Sequence, residues 1–193
     1  MIIEALLVVF AYIVGSIPSG YIIARFRGIS DIRSQGSGNI GATNVARSLG
    51  VKYFFIVFFC DCIKAFAFLK FMLFNQASQL LLFSSVLALL IGNAASIFLH
   101  FRGGKGVATS FGILLAIAPQ LAFALFGLWL LVLLLTKTVG IASIITLIGL
   151  PIVSWFIPVS GLLFMLAIIM SLLGLWLHRD NIKYLLAQCL VKI

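Results

Sequence analysis

One short glycine-rich segment carries the residues of this sequence that are best suited to bind an anion. Residues 101–106, the glycine segment, read Phe-Arg-Gly-Gly-Lys-Gly and have long apolar runs on both sides. Glycines let backbone N–H groups converge on an anion, and the Lys and Arg side chains supply positive charge. A helix predicted to begin near Val107 would direct its positive end towards the same point. We therefore predict a phosphate site, although a basic turn that only fixes membrane topology would have a similar composition. Its candidate residues are Arg102, Gly103, Gly104, Lys105 and Gly106.

The composition is that of a helical membrane protein. Of the 193 residues, 64% are hydrophobic and 9% are charged, and a water-soluble domain of this length could not bury so much apolar surface. The apolar runs lack the strict alternation of a membrane barrel. The net charge of +9 comes from residues scattered among loops. This distribution excludes a nucleic-acid-binding stripe and favours lipid headgroups and phosphorylated substrates as partners.

The apolar runs predict one all-α domain over residues 1–193. The run from Val107 to Leu135 determines the number of spans, because at about 1.5 Å per residue it would be roughly 43 Å long, well beyond a hydrocarbon core of about 30 Å. A turn at Pro119 divides it and gives seven transmembrane helices, whereas one tilted span would give six. The predicted spans cover about residues 3–24, 51–74, 80–100, 107–118, 119–135, 139–157 and 159–177.

The placement of basic residues favours the seven-span topology. With seven spans, eleven of the thirteen Lys and Arg residues fall on one face, as the positive-inside rule requires of the cytoplasmic side. The N-terminus is then outside and the C-terminus cytoplasmic. The eleven residues are Arg25, Arg27, Arg33, Arg47, Lys52, Arg102, Lys105, Lys137, Arg179, Lys183 and Lys192.

A second segment on this face, the first loop (residues 34–47), also has the composition of an anion site. Its glycines match a dinucleotide-binding pattern by letter, but no strand precedes them and no βαβ unit fits. Arg47 offers bidentate phosphate contact, and a short helix could bring it back over the turn. A flexible linker is the alternative. The candidate residues are Ser37, Gly38, Asn39, Gly41, Thr43, Asn44 and Arg47.

The end of the last span supplies a candidate base. His178 lies where this span is predicted to leave the membrane, and Asn181, three residues later, would share its helix face. A histidine beside two phosphate-type loops fits a general base, whereas a snorkelling polar side chain is the alternative. Ser143, about one turn inside the sixth span, could bind substrate on the same side or only pack helices together.

Span two carries two oppositely charged residues inside the membrane. Asp61 and Lys64 are three residues apart, so they can pair within one helix. Ionisable residues within a span indicate function by default. A structural ion pair is an equally good interpretation.

Together these segments resemble the motifs of the bacterial acyl-phosphate-dependent glycerol-3-phosphate acyltransferase family. The similarity covers residues 37–47, residues 101–109 and the His178–Asn181 pair, and their order and spacing match over nearly the whole chain. Gly15-Ser-Ile-Pro18 and Asp61-x-x-Lys64 also fit.

The sequence departs from the family pattern at three positions. Asn93 stands where His is usual, and Gln188 and Leu190 stand where the third motif usually continues to Gly and Glu. The departures at Gln188 and Leu190 are expected to affect packing of the C-terminal tail more than the reaction chemistry.

The resemblance implies transfer of an acyl chain from acyl phosphate to the 1-hydroxyl of sn-glycerol 3-phosphate. The products would be lysophosphatidic acid and phosphate, in the first acylation step of phospholipid synthesis. It also implies a multi-pass protein of the bacterial cytoplasmic membrane with a cytoplasmic active site. Because acyl phosphate is already activated, no cofactor, metal or covalent nucleophile is required. The expected partners are glycerol 3-phosphate, acyl phosphate and membrane lipid, and the expected assembly is a monomer.

On this basis we assign roles as hypotheses. Lys105 and the amides of residues 103–106 bind glycerol 3-phosphate, and the first loop binds and neutralises the other phosphate. His178, assisted by Asn181, helps to remove the hydroxyl proton, or a substrate phosphate is the base instead. Ser143 hydrogen-bonds the acyl-phosphate group.

A membrane transporter for small anions or phosphate esters is the alternative function, since broken helices and basic loops also occur there. Transporter sites lie near mid-membrane between repeats, whereas this sequence has no internal repeat and its polar groups cluster at one predicted face. A metal-dependent lipid phosphotransferase would require clustered aspartates, and Asp31, Asp61 and Asp180 are far apart in sequence.

Overall fold

The computed structural model describes the backbone of residues 1–190 and the side chains of residues 1–187, and the secondary structure of this part is entirely helical. Lys192, one of the predicted cytoplasmic cations, and the side chains of Gln188 and Leu190 lie outside the described part. The helices are α1 (Ile2–Ser16), α2 (Ser19–Phe26), α3 (Ala42–Leu49), α4 (Val51–Phe74), α5 (Gln79–Ala94), α6 (Val107–Ile117), α7 (Pro119–Thr136), α8 (Val139–Phe156), α9 (Gly161–Leu177) and α10 (Arg179–Leu190). Short 3₁₀ turns occupy Ile32–Ser34 and Ile97–Leu99.

The chain forms two compact units that divide after Ile117. In the first unit, α1 packs on α5, α4 packs on α6, and α3 packs on α4. The α1–α5 contact is close because Gly92 lies against the Tyr12 carbonyl, where a Cβ atom would collide. Small residues at such contacts are typical of helices packed in a membrane. In the second unit, α8 packs on both α7 and α9.

The first apolar run is broken near Pro18, between the end of α1 at Ser16 and the start of α2 at Ser19. The axes of α1 and α2 differ by 41°. Neighbouring elements hydrogen-bond the carbonyls freed at the break: Lys64 Nζ donates to the Ile17 carbonyl at 2.7 Å, and Ser96 Oγ donates to the Ser16 carbonyl at 2.6 Å. The break is therefore stabilised by the first unit and is not a frayed helix end.

The long apolar run also divides where the sequence predicts. Helix α6 ends at Ile117 and α7 begins at Pro119, since proline cannot continue a helix but suits the first turn of a new one. Helix α6 has 11 residues. At about 1.5 Å per residue it is shorter than a hydrocarbon core of about 30 Å.

Several helices of the described part have the length and composition of membrane spans. Three of them are long and apolar enough to cross a membrane: α5 with the turn after it, α7 and α8. The number of candidate spans rises to five if the bent pairs α1–α2 and α9–α10 each count as one span. Helix α4 has 24 residues but also contains Lys52, Asp61, Lys64 and Lys70. The protein is a multi-pass membrane protein.

Candidate active site

Asn44 organises the first loop from within. Its side chain is buried, and its Oδ1 accepts a hydrogen bond from the Ser37 N–H at 2.8 Å. Its Nδ2 donates to the carbonyls of Gln35 and Ile32 at 2.9 and 3.2 Å. The amide group of Asn44 is therefore occupied by the loop backbone and supports the loop rather than facing outwards.

The other predicted residues of the first loop are more accessible. Ser37, Gly38 and Arg47 are exposed, and Arg47 lies on the predicted short helix, which is α3. Asn39 and Thr43 are half-buried, and Asn39 Oδ1 accepts a hydrogen bond from the Gly41 N–H at 3.0 Å. The loop thus presents a hydroxyl, an amide and a guanidinium around a tight backbone turn.

An ion pair fixes the start of this loop. Arg33 lies 2.7 Å from an Asp31 carboxylate oxygen, donates to the Leu99 carbonyl at 3.4 Å and stacks over the Tyr21 ring. The hydrogen bonds from Arg33 hold the pKa of Asp31 below its ordinary value. Through Leu99, the same guanidinium connects the first loop to the chain that leads into the glycine segment.

The glycine segment is bound to the end of α5. The Gly103 N–H donates to the Ala94 carbonyl at 2.9 Å, and the Gly104 N–H donates to the Asn93 carbonyl at 2.8 Å. These two amides satisfy helix C-terminal carbonyls that would otherwise lack partners. They are therefore not the phosphate donors that the sequence predicted. Gly103 is required here, because a Cβ atom would collide with both carbonyls.

The two predicted phosphate loops are neighbours in the first unit. A Cβ atom on Gly104 would lie 3.4 Å from Ile40 Cγ1 and 3.6 Å from Asn39 Oδ1. Lys105 follows at a half-buried position, Arg102 is exposed, and Gly106 has a positive φ of 76° immediately before α6. The helix begins at Val107 as predicted. Folding thus brings together segments that are about 60 residues apart in the sequence.

In the second unit, the candidate base lies at a helix junction. His178 is the C-cap of α9 and is 3% exposed. Its Nδ1 lies 2.8 Å from the Gly174 carbonyl oxygen. A carbonyl can only accept, so in the neutral ring Nδ1 carries the proton and Nε2 carries the lone pair. This tautomer is the one required of a base that acts through Nε2.

Asn181 and Ser143 both lie close to the N-terminal turn of α8. Asn181 Nδ2 lies 2.6 Å from the position that a Cβ atom on Gly140 would occupy, so Gly140 leaves space for this amide. Ser143, one turn later, is buried and accepts a hydrogen bond from Trp129 Nε1 at 3.2 Å. Among the residues described, no three His, Cys, Asp or Glu side chains are grouped as metal ligands would be.

Residues 5–188 match the sequence profile of a family described as glycerol-3-phosphate acyltransferase. The chain belongs to the glycerol-3-phosphate acyltransferase family. It is 42% identical over 186 residues to the glycerol-3-phosphate acyltransferase of Aquifex aeolicus, an alignment that covers 93% of this chain and 94% of that protein. It is 43% identical over 183 residues to the enzyme of that name from Thermus thermophilus, covering 91% and 87% of the two chains. The resemblance inferred from the motifs is confirmed, and the protein is an acyltransferase.

The fold also matches solved structures of this family. One is the crystal structure of PlsY, described as an integral membrane glycerol 3-phosphate acyltransferase, in its glycerol 3-phosphate form. The TM-score is 0.89 at 38% identity, and the match covers 96% of this chain and 92% of that one. The lysophosphatidic acid form of the same protein gives a TM-score of 0.88 at 37% identity, with the same coverage of both chains.

One polar network of this acyltransferase was only partly visible in the sequence. The predicted ion pair is present, since Lys64 Nζ lies 2.7 Å from Asp61 Oδ1. Lys64 also reaches Asn93 Oδ1 at 3.4 Å, and Thr109 Oγ1 donates to the same oxygen at 3.0 Å. The i, i+3 spacing indicated the pair, whereas no local pattern connects residues 64, 93 and 109. In the sequence, Asn93 differs from the family pattern, but nothing near it indicates these partners.

Proposed function

We propose that this acyltransferase transfers an acyl chain from acyl phosphate to the 1-hydroxyl of sn-glycerol 3-phosphate, releasing lysophosphatidic acid and phosphate. The observation that carries the proposal is the close approach of the two phosphate-type loops, since a Cβ atom on Gly104 would reach Ile40 and Asn39. Both substrates carry a phosphate group, so two adjacent anion sites fit this reaction. The solved relative in glycerol 3-phosphate and lysophosphatidic acid forms supports the same substrate and product.

The roles within the first unit follow from accessibility and charge. Lys105, with Arg102, holds the phosphate of glycerol 3-phosphate. The first loop holds the phosphate of the acyl donor through Arg47 and Ser37, with Asn39, Thr43 and the backbone at Gly38 and Gly41 completing the site. The Arg47 guanidinium stabilises the charge that builds on the leaving phosphate. Asn44 holds this loop in shape without touching substrate.

His178 is the proton acceptor of this proposal. The 1-hydroxyl oxygen attacks the acyl carbonyl carbon, the bond from that carbon to the phosphate oxygen breaks, and the phosphate leaves with the bonding pair. The hydroxyl proton passes to Nε2 of His178, which the Gly174 carbonyl holds in the required tautomer. Asn181 orients the acceptor or the carbonyl, and Ser143 hydrogen-bonds the acyl-phosphate group. A substrate phosphate is the alternative base, and His178→Ala would then cost less than the roughly 10²–10⁴-fold expected of a general base.

The placement in the membrane is part of the same proposal. The protein is a single acyltransferase domain with seven spans in a bacterial cytoplasmic membrane, with its N-terminus outside and its site and C-terminus on the cytoplasmic face. The clustering of basic residues supports this orientation, and the divided run at Pro119 supports the count of seven. It works as a monomer without a metal or other cofactor.

The test uses purified protein in detergent or lipid with palmitoyl phosphate and glycerol 3-phosphate. We expect phosphate and lysophosphatidic acid to form in equal amounts without metal or coenzyme A. Lys105→Ala and Arg47→Ala should each lower turnover by about 10²-fold or more. Lys70→Ala is the matched control, because Lys70 is an exposed cation on α4 outside both loops. Folded protein that is inert with palmitoyl phosphate, acyl-CoA and acyl-carrier protein would refute the acyl-transfer proposal and direct attention to transport.

A further inference from the structure

The backbone before Lys105 is held in an unusual conformation. His100 and Phe101 are consecutive non-glycine residues with positive φ angles of 53° and 60°. Residues other than glycine adopt positive φ angles at an energetic cost. Such a backbone conformation persists only where surrounding contacts impose it. The glycine segment must therefore be held from outside if Lys105 is to keep one position.

Asn93, the penultimate residue of α5, holds the near end of the connection from α5 to α6. Its carbonyl accepts the Gly104 N–H at 2.8 Å. Its side chain is 7% exposed, and Nδ2 lies 3.4 and 3.5 Å from the positions that Cβ atoms on Gly106 and Gly104 would occupy. The amide thus lies directly against the glycines that flank Lys105.

The same side chain holds the far end of the connection. Asn93 Oδ1 accepts a hydrogen bond from Thr109 Oγ1, which is fully buried on α6 just beyond Lys105. One residue of α5 therefore binds the segment on both sides of Lys105, through its main chain before the lysine and through its side chain after it.

The intramembrane ion pair fixes the oxygen on which this arrangement depends. The Lys64 ammonium has three acceptors within reach, namely Asp61 Oδ1, the Ile17 carbonyl and Asn93 Oδ1, at 2.7, 2.7 and 3.4 Å. An ammonium has three N–H donors, so these three acceptors can pair with all of them. Lys64 is accordingly a structural cation that orients the Asn93 amide.

We propose that Asn93 is a positioning residue for Lys105, oriented by the Asp61–Lys64 ion pair and linked to α6 through Thr109. The inference rests on the proposed function, since it assigns Lys105 to the phosphate of glycerol 3-phosphate. The acceptor Oδ1 carries the effect, because it receives both Thr109 and Lys64. Loss of that acceptor loosens the site for glycerol 3-phosphate and leaves the first loop, which Asn44 organises separately, in place.

The experiment measures the KM of each substrate and kcat, together with the affinity for glycerol 3-phosphate by calorimetry. Asn93→Ala removes the acceptor, and Asn93→Asp retains an oxygen in the same place. We expect Asn93→Ala to raise the KM and Kd of glycerol 3-phosphate by about tenfold, which corresponds to loss of one or two buried hydrogen bonds. The KM of acyl phosphate should change by less than about twofold, and Asn93→Asp should stay within about threefold of the native protein.

Two further variants keep the test decisive. Thr109→Val removes the donor with little change in shape, so it applies even if Asn93→Ala fails to fold, and it should raise the glycerol 3-phosphate KM by about threefold. Ser85→Ala is the control, because Ser85 is buried on the same helix and its hydroxyl has no hydrogen-bond partner within the described part of the chain.

The outcomes separate this inference from the proposed function. A native protein that binds glycerol 3-phosphate but transfers no acyl chain would refute the proposed function, and the calorimetric affinities would still test Asn93. Unchanged glycerol 3-phosphate affinity in Asn93→Ala and Thr109→Val, or equal increases in both KM values, would refute the positioning role. Failure of Asn93→Asp to restore affinity would refute the role assigned to Oδ1.

Discussion

Two buried asparagines organise the two phosphate-type loops of the first unit, and they use their side-chain amides in different ways. In the first loop, Asn44 donates twice through Nδ2 to loop carbonyls and accepts once through Oδ1. Beside the glycine segment, Asn93 accepts twice through Oδ1, from Thr109 and Lys64. The hydrogen-bond partners of the Asn44 side chain lie within 12 residues of it, whereas those of the Asn93 side chain lie on two other helices.

The difference reflects where each loop obtains its rigidity. The first loop folds around a side chain of its own, with neutral hydrogen bonds inside it and an exposed ion pair only at its start. The glycine segment has strained backbone at His100 and Phe101, and it is held by neighbouring helices and by an ion pair with little water around it. Electrostatic interactions are stronger in such surroundings, and an unpaired group there is also more costly. The two loops should therefore respond differently to the loss of a charge or of a donor.

The largest effect is expected from breaking the ion pair. Lys64→Met leaves Asp61 unpaired at a site where the two side chains are only 9% and 15% exposed, and it should lower the free energy of unfolding by about 3–5 kcal/mol. The double variant Asp61→Asn with Lys64→Met should recover part of this loss, because it removes the uncompensated charge. Unfolding in detergent micelles measures both. A double variant as unstable as the single one would mean that Lys64 acts through packing and not through its charge.

The same substitution at the two asparagines should have unequal effects. Asn44→Asp replaces two donors with a carboxylate oxygen facing two carbonyls, so it should cost about 2–3 kcal/mol of stability and raise the KM of acyl phosphate. Asn93→Asp keeps the acceptor and should cost less than about 1 kcal/mol. Thermal unfolding and substrate KM values of the two variants provide the comparison. Equal effects would remove the distinction between donor and acceptor roles.

Addition of one methyl group tests the close approach at the end of α5. Gly103→Ala would place Cβ against the carbonyls of Asn93 and Ala94, and backbone atoms cannot move aside easily, so we expect a loss of about 1–3 kcal/mol. Gly127→Ala is the matched control, because no atom from another described part of the chain lies within 4 Å of the added Cβ and alanine favours the helix. Stability and acyl transfer should fall in the first variant only. If Gly103→Ala keeps native stability and acyl transfer, the glycine segment can shift to accommodate the added methyl group.

The smallest effect concerns the surface ion pair at the start of the first loop. The hydrogen bonds from Arg33 lower the pKa of Asp31 in the folded state, so the pair stabilises the fold above the unfolded pKa, and this contribution is lost as pH falls through the folded pKa. Both side chains are about a third exposed, which limits the contribution to less than about 1 kcal/mol. Asp31→Asn should flatten the acid side of the stability profile by this amount. Identical acid profiles for native protein and Asp31→Asn would show that the pair adds nothing.

The sequence by itself determined most of the helices and several of the places where they break, although α5 ends at Ala94, before the predicted end of the third span near residue 100. Pro119 divided the long apolar run, the Gly15–Gly20 stretch broke the first one, and the glycines before Val107 preceded a new helix. The Asp61–Lys64 pair was also predictable from its spacing. Each of these features depends on interactions over one to four residues, where the allowed backbone angles and the helical repeat leave few choices.

The hydrogen-bond partner of each of these polar groups was decided only by the tertiary structure. The amides of Gly103 and Gly104, expected to face an anion, instead donate to the end of α5. Asn44, expected to contact phosphate, has its amide occupied within its own loop, and Asn93 became the connection between Lys64 and Thr109. Composition showed that these groups could donate or accept. Which partner each one has depends on helices that meet after folding, since a buried polar group must be satisfied by whatever lies within about 3 Å of it.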